Sequence, residues 1–261
     1  MKKVLAVVLA VMMTALCAIT LASCGKDAGS SDLAYIKDKG VLVVGITEYK
    51  PMNYLDENGK WTGFDTEFAE LVAEKLGVKV EFKEIDWDNK IFELDSKAID
   101  CVWNGMTLTN EVQNAMGCSV PYVVNAQVVV MDASKVADYD TVESLADLKF
   151  VAEAGSAGML AIVEAGYDAV EVDTQATALM EVASGAEDAC VIDITMANAM
   201  TGKGTSYENL ASGLALTSEE YGIGFRKGTD TVEEVNKIID GLYKDGTLTK
   251  LAEKYELTLA F

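Results

Sequence analysis

From Val41 onward the chain alternates short apolar runs with stretches of helical period, and it does so twice. Val41–Ile46 is continuous and apolar, the pattern of a strand covered on both faces. Asn58-Gly59 marks a tight turn between Tyr54-Leu55 and Trp61. Asp65 stands where it would cap a helix whose apolar positions Phe68, Leu71, Val72 and Leu76 keep a helical period, ended by Gly77. Val78–Phe82 reads as a strand, Asn89–Lys97 as a helix and Cys101–Trp103 as a strand. Alternation of this kind predicts an α/β protein with mostly parallel sheet.

The pattern restarts after Val128–Met131. Phe150–Ala152, Val170–Val172 and Ala189–Ile192 read as strands, with Ala157–Glu164 and Thr174–Ala183 as helices between them. The chain then returns through Leu214–Thr217, and Tyr221–Arg226 rejoins the first half before helices Val232–Tyr243 and Leu248–Tyr255. Asp100–Asn104 and Asp188–Asp193 echo one another: an acidic residue opens an apolar strand that ends on a polar side chain. Ligands of open parallel sheets collect beyond the carboxyl ends of the strands, so Asn104 and Asp193 are placed to meet one.

Ahead of this lies a leader. Lys2 and Lys3 precede an uncharged run that closes on Leu21-Ala22-Ser23-Cys24, the pattern of a lipoprotein export signal. Residues 1–23 are read as the signal peptide, Cys24 as the lipidated first residue, and 24–32 as a polar tether. The leader takes both of its lysines with it, leaving 19 basic against 42 acidic residues. Such a surface repels nucleic acid and anionic headgroups, so contact with the membrane is expected through the lipid anchor alone. The absence of histidine removes imidazole acid–base chemistry and His metal ligands. Cys101, Cys118 and Cys190 lack zinc or CxxC spacing; Cys101 and Cys190 sit in apolar runs, and a Cys101–Cys118 disulfide is open. No metal or cofactor is expected.

From Val41 to Tyr255 the chain resembles the extracellular solute-binding proteins of polar amino-acid ABC importers. The residues that carry the likeness include Gly63-Phe64-Asp65, Ile85-Asp86-Trp87, Asn104–Thr109, Pro121-Tyr122 and Ala154-Gly155-Ser156. Val191-Ile192-Asp193, Tyr221–Gly224 and Lys244–Thr247 complete it in order. The resemblance implies a two-lobed, type II periplasmic-binding-protein-like fold, two mixed sheets with flanking helices joined by two hinge strands. Lobe 1 would comprise 33–127 and 218–261, and lobe 2 would comprise 128–217. It implies a small amino acid or amine-bearing solute bound between the lobes, with Tyr49 stacking on it and Trp87 as the opposite wall. Asn104, Gly105, Met106 and Thr107 would bind a carboxylate together with Ser156, and Asp193 would receive the ammonium. The implied partners are an ABC permease and ATPase, and the implied state is a monomer tethered outside the cytoplasm.

Five positions depart from the family pattern. Val112 stands where the family usually places a carboxylate-gripping arginine, and the chain's one arginine, Arg226, falls at a surface position of the family. Lys50 is either a weaker replacement clamp or a solvated loop lysine. Glu153, with Asp193 and Glu48, would make the pocket acidic, or it faces solvent. Trp103 either packs in the core or narrows the pocket, and Asn104 would point an amide into the cleft. The expected function is solute capture without catalysis; a dehydratase-like enzyme and a ligand-sensing module are the alternatives on the same fold.

Overall fold

The computed structural model describes residues 31–261, so the expected leader, Cys24 and the tether as far as Ser30 lie outside the described residues. Ser31 caps the first helix among the described residues, α1 (Asp32–Lys39), its hydroxyl accepting from Ala34 N at 2.9 Å. Strand β1 (Val41–Ile46) follows, then the small hairpin of β2 (Tyr54–Leu55) and β3 (Trp61–Thr62). Next come α2 (Phe64–Leu76), β4 (Lys79–Glu84), α3 (Lys90–Asp95) and β5 (Cys101–Thr107). Helix α4 (Asn110–Ala115), β6 (Met116–Cys118) and β7 (Val123–Asn125) complete the first run.

The second run is β8 (Gln127–Asp132), β9 (Phe150–Glu153), α5 (Ala157–Glu164), β10 (Ala169–Val172) and α6 (Gln175–Ser184). It continues with β11 (Ala189–Asp193), α7 (Ile194–Met200) and β12 (Leu210–Ala215). The chain then returns in β13 (Glu219–Arg226), α8 (Thr231–Lys244) and α9 (Thr247–Lys254).

Two mixed sheets result. The first runs β4-β1-β5-β13-β6, with β7 also on β13, and the second runs β10-β9-β11-β8-β12. In each, one strand runs against all the others: β13 in the first sheet and β8 in the second. Only Ala126 separates β7 from β8, and residues 216–218 separate β12 from β13. These two crossings lie side by side: Leu216 N donates to Gln127 O, and Gln127 N donates to Thr217 Oγ1, each at 2.8 Å.

Several local expectations change. Strand β5 runs on through Asn104–Thr107, because β13 pairs with it as far as Tyr221 opposite Thr107 and all seven residues are buried. Asp65 does not cap α2. The cap is Gly63 at φ 123°, where a Cβ would meet Met52 O at 2.2 Å, so close backbone approach demands glycine. Asp65 sits in the first turn with its buried carboxylate accepting from Gly105 N (2.6 Å) and Tyr122 Oη (3.0 Å). Trp103 is core: it is fully buried, edge-on to Phe68 with ring centroids 4.9 Å apart.

Arg226 is not a surface residue. Its guanidinium is buried and donates to Asp32 (2.6 Å), Ile99 O (2.7 Å) and Leu94 O (3.0 Å), with Asp100 at 3.4 Å. The three cysteines among the described residues, Cys101, Cys118 and Cys190, are free. Cys101 and Cys118 pair with opposite sides of β13, at Phe225 and Gly224, which puts them two strand spacings apart, about 9–10 Å. That exceeds disulfide reach.

Candidate functional site

The carboxyl ends of β5, β9 and β11 face a cavity of about 280 Å³. Trp87, Asn104, Gly105, Met106 and Thr107 line it from the first half of the chain, and Glu153, Ser156 and Asp193 from the second. Local chemistry puts each there. Asp86 accepts from Asp88 N at 3.2 Å and turns the chain into the single 3-10 turn that presents Trp87. Ser156 caps α5, accepting from Met159 N at 3.1 Å, and keeps its own proton to donate. Glu153 and Asp193 are the last residues of β9 and β11, and α5 and α7 begin close behind them.

Tyr49 is the exception among the expected residues. It does not line the cavity; its ring packs behind Gly105, where a Cβ would meet Tyr49 Cε1 at 2.6 Å. Its hydroxyl instead bonds Thr195 Oγ1 (2.5 Å) and Tyr221 Oη (2.6 Å), joining the first sheet's side of the molecule to α7. It is a strut between the two halves, not a stacking platform.

The donors expected from Asn104–Thr107 are also engaged. The Asn104 amide turns inward: Oδ1 accepts from Thr47 N (3.1 Å) and Asn53 Nδ2 (2.8 Å), while Nδ2 donates to Thr47 Oγ1 (2.7 Å). Gly105 N serves Asp65, and the Thr107 hydroxyl donates to Glu219 at 2.7 Å. Lys50 and Glu48 are exposed and absent from the cavity wall, and Lys50 Nζ lies 5.5 Å from the Tyr54 ring centroid. Val112 does line the cavity, so its wall is apolar there, continuous with Met106, Met159, Leu160 and Val163.

The cavity cation is Lys90, which the sequence reading missed. Only 7% exposed, it donates to Trp87 O (3.2 Å) and, across the cleft, to Gly155 O (2.9 Å). Its ammonium lies 4.9 Å from the Trp87 ring centroid. Burial lowers its pKa, against the raising influence of Glu111, Asp88, Glu153 and Asp86. The signal available was spacing: a lysine three residues past a tryptophan, at the start of a helix, is placed to cover the ring.

Facing it are two buried carboxylates. Asp193 (4% exposed) takes three donors on Oδ1: Asn125 Nδ2 (2.5 Å), Gln127 Nε2 (2.8 Å) and Tyr221 Oη (2.8 Å). Its Oδ2 takes Gln175 Nε2 at 2.5 Å. The same two amides, Asn125 and Gln127, also donate to Glu219 Oε1 at 2.6 and 2.7 Å, tying Asp193 to the return strand. Burial, then the Glu219 charge, pushes Asp193 up to about 6, against its hydrogen-bond donors. Glu153 (3% exposed) does not face solvent, and its Oε1 has no hydrogen-bond partner. Burial and the Asp193 charge push it up to about 8, with Lys90 opposing.

Asp65, behind the cavity, is pushed up to about 7 by burial, against the Gly105 and Tyr122 donors. All three acids therefore hold protons in the folded state at pH values where the unfolded chain has lost them. Stability they contribute is complete below about pH 4 and declines as pH rises toward 8. Thermal melts of the ligand-free protein are expected to show Tm higher at pH 5.5 than at pH 8, by roughly 5 °C. A Tm that rises with pH across this window would refute the protonation assignment.

Two halves of mixed α/β sheet, meeting over a ligand-sized cleft at their strand ends, define the class of two-lobed periplasmic binding proteins of type II. Residues 42–258 match the family model of bacterial extracellular solute-binding proteins, family 3, and the chain belongs to that family. It is 33% identical over 260 residues to the L-cystine-binding protein TcyA of Bacillus subtilis, covering 94% of each. A crystal structure of a mutant of ArgBP from T. maritima superposes with a TM-score of 0.80 at 32% identity, over 86% of this chain and 98% of that one. Cyclohexadienyl dehydratase of Pseudomonas aeruginosa is similar over a shorter stretch, 32% identical across 130 residues or 49% of this chain. Family membership makes this an extracytoplasmic solute-binding protein, with ABC amino-acid importers as its setting.

Proposed function

We propose that this chain is the lipid-anchored capture component of an ABC importer, taking a small amino acid or related amine from outside the cell and presenting it to a permease driven by an ATPase. The observation that carries this is the pairing of Glu153 and Asp193, both buried, at the strand ends of a cleft walled on the other side by Trp87 and Lys90. A buried carboxylate is a receptor for an ammonium, and the indole is a flat face for the ligand body. We assign 33–127 and 218–261 to one lobe, 128–217 to the other, Cys24 to the anchor and the monomer as the working unit.

Capture would work by population shift. A ligand touching residues of both lobes favours the closed arrangement over an open one, and the permease needs only to distinguish the two. Contacts that cross the cleft, Lys90 to Gly155 and Tyr49 to Thr195, would be made on closing. Among the described residues no recognisable base is partnered with Glu153 or Asp193, which favours carriage over catalysis even beside a dehydratase relative. The test is mass spectrometry of small molecules released when the purified protein is denatured, followed by titration of the identified compound. Release of an amine-bearing solute, recovered unchanged after long incubation, is the expected result. A solute converted on incubation would make the protein an enzyme.

A further inference from the structure

The cavity holds one carboxyl oxygen that nothing in the protein satisfies. Glu153 Oε1 is buried and unpartnered at the cavity wall, although Lys90, Asp193 and Gln175 all line the same space. Gln175 Nε2 donates to Asp193 Oδ2 at 2.5 Å and its Oε1 accepts from Asp193 N at 3.0 Å, while the same amide, near Glu153, opposes the rise of that carboxyl's pKa without satisfying Oε1. Lys90 spends two of its donors on Trp87 O and Gly155 O. Asp193 Oδ2 carries a single donor where Oδ1 carries three, so it too has room for another. Two acceptor oxygens with capacity for a further donor therefore belong to cavity-lining residues at the ends of neighbouring strands β9 and β11.

The surrounding charges all point one way. Lys90 is the one cation on the cavity wall, while Asp88 and Glu111 add negative charge to the same lining. Asp86 flanks Glu153 from the turn before Trp87, and Glu219 backs Asp193 from β13. At the place of the family's arginine stands apolar Val112. A dicarboxylic ligand would meet mostly its own sign.

Resting on the capture reading above, we propose that Glu153 and Asp193 jointly seat a ligand ammonium, that the solute is a net-cationic amine or amino acid, and that Glu153 gives up a proton as it enters. The exchange balances simply. The O–H bond of the Glu153 carboxyl breaks, its proton passes to solvent, and the carboxylate accepts a hydrogen bond from the incoming ammonium, which keeps its own protons. Burial of an empty, unpaired carboxyl favours the neutral acid, and its pKa of about 8 fits that. A cation placed against it reverses the preference. Capture then strengthens as pH rises toward 8 and levels off above it, because below that value ligand and proton compete for one oxygen.

The test is isothermal titration of the full mature chain with L-arginine, L-lysine and putrescine as cations, L-glutamine and L-cystine as zwitterions, and L-glutamate as the anion. Each is run at pH 7 in two buffers of different ionisation enthalpy. The expected result is tight binding of at least one cation with release of about one proton. In Glu153→Gln that ligand binds about 10- to 100-fold more weakly and the proton release disappears. Preference for a zwitterion or for L-glutamate, or cation binding with no proton released, overturns the inference and leaves solute capture standing. Silence from all six also overturns it, while the mass spectrum of released solutes decides capture on its own.

Discussion

Asp193→Ala is expected to weaken solute binding by about 2–5 kcal/mol, some 30- to several-thousand-fold in Kd, the usual cost of leaving a buried charge unpaired. Asp193 is the point where the two halves of the site are joined. Its carboxylate collects amide donors from Asn125 on β7, Gln127 on β8 and Gln175 on α6, and a hydroxyl from Tyr221 on β13. Removing it takes away one acceptor for the ligand and frees those four donors to turn toward water. Fold stability need not fall in step, because a carboxylate held at about 6 by burial is itself a destabilising element above that pH. Titration calorimetry alongside a thermal melt separates the two effects. Unchanged affinity in a folded Asp193→Ala protein would move the ammonium site elsewhere.

Arg226→Ala is expected to have the opposite signature, a loss of about 3–5 kcal/mol of stability with little change in affinity. Arg226 is 9% exposed, and its guanidinium ties α1 through Asp32, the end of α3 through Leu94 O and the segment before β5 through Ile99 O. Asp100 would keep Lys39 at 2.5 Å and Val43 N at 2.7 Å, but Asp32 and two buried carbonyls would lose their partner. Urea unfolding measures the loss directly, and Tm should fall by roughly 10 °C. Arg226 is not part of the cavity wall, so binding below the transition is expected within about threefold of wild type. A melt unmoved by the substitution would mean that the ion pairs contribute nothing net.

What could be read from residues alone follows the physics of each. Val41–Ile46 and Ala189–Asp193 announced themselves because doubly covered strands need continuous apolar runs, and Asp193 because polar side chains gather at strand ends. Trp87, Ser156 and Glu153, all on the cavity wall, were legible only through the family likeness. Lys90 escaped because a lysine in a charged stretch reads as solvated until a neighbouring strand and loop close over it. Tyr49 was placed on the ligand by the family likeness, and only the fold shows its hydroxyl bonded to Thr195 and Tyr221. Asp65 looked like a helix cap because spacing cannot reveal that Gly105 N and Tyr122, forty and fifty-seven residues away, claim its carboxylate. The inward turn of the Asn104 amide likewise depends on Thr47 and Asn53. Local pattern reports local structure, and the misreadings of Tyr49, Asp65 and Asn104 each concern partners distant in the chain.

The placement of β13 governs the order in which the molecule can assemble. All five strands of the second sheet lie between Gln127 and Ala215, so a growing or newly exported chain can complete it from contiguous sequence. The first sheet has to wait. Its β5 and β6 are not neighbours until a segment more than a hundred residues downstream slides between them, and β7 leans on that same latecomer. Closing so long a loop is slow, and until it happens the edge of β5, fully buried in the finished fold, stands open. The portion carrying Trp87 and Lys90 should thus be the last to gain protection from hydrogen exchange during refolding, and the portion carrying Glu153 the first.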